Sequence, residues 1–97
     1  MAEQPQQQQK VRIAFPPHLQ GGVYSNNLVV SHTREEFILD FMVVGPGAGA
    51  VTARVIISPG HMKRVAATVK EQLKKYEDKF GEIKSAEEPK VKLGFQP

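Results

Sequence analysis

The sequence predicts an α+β domain, an antiparallel meander of about four strands followed by one C-terminal amphipathic helix packed on one sheet face. Three observations predict it. Short runs rich in alternating or β-branched apolar residues recur at 10–15, 23–31, 37–44 and 51–57, each closed by turn residues. From Ser58 onward the apolar spacing lengthens to steps of three and four, the period of a helix. Gly81 follows the last of those apolar positions, where a left-handed residue ends a helix.

The first strand is KVRIAF at 10–15, with Val11, Ile13 and Phe15 on one side. Pro16-Pro17 ends it, because proline cannot donate to a ladder. A loop then runs to Gly21-Gly22. The second strand is VYSNNLVVS at 23–31, with Tyr24, Asn26, Leu28 and Val30 on one face. A polar turn at 32–35 leads to FILDFMVV at 37–44, the strongest strand signal in the chain. Gly45-Pro46-Gly47 closes it, and VTARVII at 51–57 is the fourth strand.

Opposite charges set a register for the third and fourth strands. Placing Asp40 across from Arg54 puts Phe37 by Ile57, Leu39 by Val55, Phe41 by Ala53 and Val43 by Val51. One face is then wholly apolar and the connection is the glycine-rich stretch 45–49. A two-residue slip would leave Asp40 opposite Ile56. Continuing to the second strand, Val30 across from Phe37 brings Leu28 to Leu39 and Asn27 to Asp40. Asn27, Asp40 and Arg54 then form a polar row on the second face, among Val29, Ile38, Met42 and Ile56.

Ser58 is a good N-cap residue, and Pro59 fits the first helical position, where no N–H partner is needed. Met62, Val65, Ala66, Val69, Leu73, Tyr76 and Phe80 trace one apolar stripe. Charged side chains fill the other side, including Glu71 and Lys75, correctly ordered for an i,i+4 pair. Ile83 is placed to make the hydrophobic contact just past the cap.

At 97 residues the chain holds one domain at most. Residues 1–9, MAEQPQQQQ, form a Gln-rich polar tail that cannot offset its ordering entropy and reads as disordered. With no basic start and no apolar stretch it is no signal peptide. The folded domain is then 10–84, and 85–97 is a flexible tail. Within that tail, KVKLGFQP at 90–97 echoes KVRIAFPP at 10–17. The echo is either a coincidence of short alternating segments or the mark of a strand-like arm at 90–95 that docks on a sheet edge.

The chain has no cysteine. That excludes disulfides, thiolate catalysis and cysteine metal sites, and it fits a reducing compartment, so a cytoplasmic location is expected. No apolar run reaches the roughly 18 residues that span a bilayer, so no membrane partner is expected. The net charge of +3 is mildly basic. It permits contact with nucleic acid without demanding it.

One helix can cover one face of a sheet. The face holding Val29, Ile38, Met42 and Ile56 is left open, and open patches of that size mark interfaces. Burying three such side chains is worth roughly 5–8 kcal/mol, comparable to the whole stability of a small domain. The expected partner is therefore a second copy of the chain, in a homodimer or higher oligomer, with two-fold symmetry the commonest arrangement. On that face the structural reading of Asp40 and Arg54 is a buried charge pair that fixes register. The functional reading is a small-ligand site with Asn27 beside it. A catalytic role has no second acid, base or nucleophile to draw on.

His18, His32 and His61 share no metal-ligand spacing, so neither a metal nor a cofactor is expected. Ser58 with His61 is explained by capping, without chemistry. His61, Lys63, Arg64, Lys70 and Lys74 offer an anion or nucleic-acid contact on a helix that opens with basic side chains. Glu71, Glu77 and Asp78 interrupt that stripe, and no aromatic series offers base stacking. The stretch 45–50, GPGAGA, lacks the Lys-Ser/Thr ending of a phosphate loop and sits between strands.

Taken in order, YSNN at 24–27, EFILDF at 36–41, RVIISP at 54–59, HMKR at 61–64, KYE at 75–77 and FGEI at 80–83 resemble a family of small prokaryotic proteins, domain of unknown function 3467. The resemblance covers about 22–83. It implies a bacterial or archaeal cytosolic protein and carries no activity, cofactor or site residue. The expectation from the residues is a non-enzymatic homo-oligomeric binding or assembly module. A nucleic-acid-binding protein using the basic helix face is the alternative, and a small-ligand-binding protein the third reading.

Overall fold

A computed structural model describes residues 9–87 and 92–95. Three strands, β1 (Asn27–His32), β2 (Phe37–Gly45) and β3 (Ala48–Ile57), form one antiparallel sheet in the order β1-β2-β3, and the helix α1 (Pro59–Phe80) follows. A short 3-10 helix, Pro17–Leu19, precedes the sheet. The α+β class and the meander order match the expectation.

The fourth strand does not form. Residues 10–15 join no ladder, and Val11, Ile13 and Phe15 are exposed. Alternation makes a segment competent for a strand, but only an edge that accepts its hydrogen bonds makes it one. The expected disordered tail lies, apart from Gln9, outside the described residues. Of the strand-like arm, Lys90 and Val91 also lie outside them, and 92–95 take no strand conformation.

The β2–β3 pairing follows the charge-pair register from Phe37↔Ile57 through Asp40↔Arg54 to Phe41↔Ala53. It then departs from it. A bulge at Thr52 on β3, opposite the step from Phe41 to Met42 on β2, leaves Thr52 without a partner in the register, so Met42 faces Val51 and Val43 faces Ala50 rather than Val51. The Thr52 hydroxyl donates to the Phe41 carbonyl at 3.2 Å, which gives that oxygen a partner at the irregularity. The connection is also shorter than expected. Gly45 pairs with Ala48, leaving Pro46 and Gly47 as a two-residue turn, with Gly47 at φ 78°.

The β1–β2 register is shifted by two residues from the expected one. Val30 faces Leu39, Leu28 faces Phe41 and Val29 faces Asp40, so Asn27 sits across from Met42. The cause is the turn. The Thr33 hydroxyl accepts from the N–H groups of Glu35 and Glu36, both at 3.2 Å, and Thr33 N–H donates to the Glu36 carbonyl at 2.9 Å. That knot seats the reversal on 33–36 and makes His32 the partner of Phe37, whose rings stack at 5.4 Å. A two-residue shift preserves the faces.

The helix forms as its caps dictate. The Ser58 hydroxyl accepts from His61 N–H at 3.2 Å and the Ser58 carbonyl from Met62 N–H at 2.9 Å. At the far end Gly81, at φ 99°, donates to the Glu77 carbonyl at 2.8 Å. Just past the cap, Ile83 N–H donates to the Glu77 carboxylate at 2.9 Å.

The expected lid is not in place. No residue of α1 is buried, and Val69, Leu73, Tyr76 and Phe80 all stand exposed. The sheet face meant for that stripe is open as well, with Leu28, Val30 and Val55 close to half exposed. A single residue, Ser58, joins β3 to α1, too little chain to turn the helix back over the sheet. Among the described residues only Leu39, Met42 and Asp40 are buried.

Candidate functional site

The second face of the sheet holds the one buried charge among the described residues. Asp40 lies at the middle of β2, flanked by Val29 on β1 and Arg54 on β3. Arg54 grips it with two parallel bonds, Nε to Oδ1 at 2.6 Å and Nη2 to Oδ2 at 2.9 Å. The partners differ in surroundings. The Asp40 side chain is 9 % exposed and that of Arg54 61 %. The guanidinium spans the carboxylate and still reaches water.

The hydrogen bonds from Arg54 hold the Asp40 carboxyl below its ordinary range against a smaller opposing effect of burial, and the guanidinium charge adds to the lowering. The same bonds raise Arg54 above its ordinary value. Both groups are therefore ionised across the neutral range. Neither is poised to transfer a proton.

Asn27 does not join them. Its side-chain oxygen accepts from Leu28 N–H at 2.8 Å, and the register places it across from Met42. The polar row expected from the sequence is thus a pair. Of the four apolar residues expected around it, Met42 is buried, Val29 and Ile38 are half-buried and Ile56 is exposed. They share one face with Asp40 and Arg54, as expected, because the shift in register was an even number.

Sequence reasoning missed Asn26. Where β1 stops, its side chain stands in for backbone: Nδ2 donates to the Val44 carbonyl at 3.0 Å and Oδ1 accepts from Val44 N–H at 2.8 Å. Its own N–H donates to the Met42 carbonyl at 3.0 Å, and the Ser25 hydroxyl donates to the same oxygen at 3.0 Å. The edge of β2 beyond the end of β1 is therefore paired with polar side chains. The signal was the run Ser25-Asn26-Asn27 at the head of an otherwise apolar strand, read there as strand interior.

The basic residues of α1 divide. Lys63, Lys70 and Lys74, in steps of seven and four, share one side of the helix. Lys74 is bound to Asp78 at 2.7 Å. His61 and Arg64 lie around the other side, where Arg64 Nη2 meets His61 Nδ1 at 3.1 Å, and Lys75 pairs with Glu71 at 3.4 Å. The five expected contact residues do not form one patch.

A cleft of about 650 Å³ lies at the β2–β3 tip, between Met42, Val44, Gly49 and Val51 and the tail residues Leu93 and Phe95. Among the described residues Lys92 is its only charged lining residue. Among the described residues no three of His, Cys, Asp and Glu gather to hold a metal, and no helix is long and apolar enough to cross a membrane. A family model described as a protein of unknown function (DUF3467) matches residues 1–85. No curated protein and no solved structure matches the chain.

Proposed function

The chain belongs to the DUF3467 family of proteins of unknown function, and on that premise we propose that it is a non-enzymatic, homo-oligomeric binding or assembly module, prokaryotic and cytoplasmic. One observation carries the reading. The chain has the parts of a two-layer domain, and they do not fully cover one another: no residue of α1 is buried, only Met62 and Val65 of its stripe are half-buried, and apolar side chains on both sheet faces remain open.

The energetics favour association. Each Val, Leu or aromatic side chain moved from water to an interface contributes roughly 1.5–3 kcal/mol. Because Val69, Leu73, Tyr76 and Phe80 are already about half covered within the chain, covering the rest of that stripe adds about 3–6 kcal/mol, a large fraction of a small domain's stability. In an assembly the missing elements also find their places. The helix acquires a sheet face to pack on. Residues 10–15 acquire an edge to pair with, since among the described residues β1 and β3 each keep one side of their ladder unpaired.

The non-enzymatic part rests on Asp40 and Arg54, which satisfy each other and have no third titratable group beside them among the partners they bond. Light scattering coupled to size-exclusion chromatography tests the reading. A dimer or larger particle at micromolar concentration is expected, and a clean monomer overturns it. A salt-sensitive complex with generic DNA or RNA, lost on exchanging Lys63 and Lys70 for Glu, would favour nucleic-acid binding instead.

A further inference from the structure

We propose that two copies of the chain exchange helices, α1 of each seating its apolar stripe on the Leu28, Val30, Leu39 and Val55 face of the other. The proposal rests on the homo-oligomeric reading and goes further, because it names both surfaces and pairs unlike with unlike. A dimer that joined helix to helix, or sheet to sheet, would satisfy the one without the other.

The link between β3 and α1 carries the argument. β3 ends at Ile57 and α1 begins at Pro59. Ser58 alone connects them, extended at φ −72° and ψ 157°, as a residue before proline prefers to be. To lie on its own sheet the helix must reverse the direction of β3 and stand off by about 8–10 Å, the usual spacing of packed elements. One extended residue spans about 3.5 Å. It cannot do both, and strand-to-helix connections in compact folds usually take two to six residues. The helix is therefore directed off the end of its sheet, where its stripe is 47 to 65 % exposed from Val69 to Phe80.

The two unpartnered surfaces fit each other. α1 has 22 residues, about 33 Å at 1.5 Å per residue. β3 has 10 residues, about 33 Å at 3.3 Å per residue. The stripe carries no charge, and neither do Leu28, Val30, Leu39 and Val55. The opposite face carries Asp40 and Arg54, which makes it the poorer seat for a bare apolar stripe. Two aromatic and several aliphatic side chains per helix bury on the order of 500–1,000 Å² for each copy, the scale of a standard interface. A short link that prevents an element from closing on its own domain is also the usual origin of exchange between identical chains.

The absence of native cysteine makes the test direct. A tagged Val55→Cys chain and an untagged Leu73→Cys chain are mixed, equilibrated and treated with a short bismaleimide; Val30→Cys with Val69→Cys repeats it at a second register. Exchange predicts a tagged–untagged covalent dimer joining sheet position to helix position, identified by peptide mass. It also predicts that inserting four Gly/Ser residues between Ile57 and Ser58 converts the full chain to a monomer, since the helix can then close on its own sheet. An oligomer that yields only like-to-like products in both pairs, or that keeps its size with the lengthened link, overturns the exchange and leaves the assembly standing. A wild-type chain that is monomeric overturns both.

Discussion

Arg54 meets both oxygens of Asp40 across the β2–β3 ladder, at 2.6 and 2.9 Å, yet only the carboxylate is withdrawn from water. The asymmetry decides what each partner's loss would do. Without Arg54 a carboxylate would be left nearly buried and uncompensated. Without Asp40 the guanidinium would remain more than half exposed and solvated. Arg54→Leu should therefore destabilise the fold more than Asp40→Asn, whereas equal contributions from the two partners would make the losses equal. Urea titrations of the two variants at neutral pH check the order.

The same pair gives the chain an acid limit. In the folded chain Asp40 titrates below its ordinary value of 3.8. A lowered folded value means the pair's contribution is fully present above the unfolded value. It is lost as pH falls through the folded one. Wild-type stability should hold down to about pH 4 and then fall, and the Asp40→Asn variant should lack that part of the acid dependence. Circular dichroism of both chains under acid titration separates them.

Asn26 is expected to matter although it is exposed. Its amide makes two bonds to the backbone of Val44, at 2.8 and 3.0 Å, on a strand edge that β1 does not reach. Asn26→Ala removes both and should cost about 1–2 kcal/mol. Asn26→Asp should do no better at neutral pH, because its carboxylate would face the Val44 carbonyl without a proton to donate. Chemical denaturation of both variants, read against Asn27→Ala as a neighbouring control, measures the effect.

The turn at the β2–β3 tip should depend on one glycine. Gly47 has φ 78°, while Gly45 on the strand side has no positive φ and would place a Cβ 3.8 Å from the nearest backbone oxygen. Gly47→Ala forces a left-handed conformation on a residue with a Cβ and should cost about 1–2 kcal/mol. Gly45→Ala should cost less than half of that. Thermal melts of the two variants provide the comparison.

Local chemistry made the sheet and helix legible, and the geometry between elements did not. The β2–β3 register could be read because Asp40 has one natural opposite in the next strand. The helix ends could be read because Ser58, Pro59 and Gly81 each suit a specific cap position. The β1 register could not, because the two hydrogen bonds to Thr33 that move it are made by a residue that looks like any polar turn member. The Thr52 bulge has no pattern of its own in a run as apolar as VTARVII. The detached helix is a matter of counting: a one-residue link is visible in the sequence only once the last residue of β3 is known. In the candidate site, Asp40 and Arg54 were legible for their charge. Asn27 was assigned the neighbour that its register would have given it, and Asn26 was overlooked because its partners are backbone atoms.

The stripe on α1 and its basic side should respond to substitution in opposite ways. Leu73 is 47 % exposed within the chain, so an effect of Leu73→Glu on the fold of one copy should be small, and glutamate suits a helix nearly as well as leucine. In an assembly that covers the stripe, the same change removes the burial of the exposed half of that side chain, roughly 0.7–1.5 kcal/mol from each of two symmetric contacts, and places a charge in each. Dimer affinity should then fall by at least about tenfold, the equivalent of about 1.4 kcal/mol. Lys70→Glu, on the polar side, should leave affinity within about threefold of wild type. Sedimentation equilibrium over a concentration series gives both constants, and circular dichroism on the same samples establishes that α1 is intact. Equal losses in the two variants would mean that net charge, and not the apolar stripe, holds the copies together.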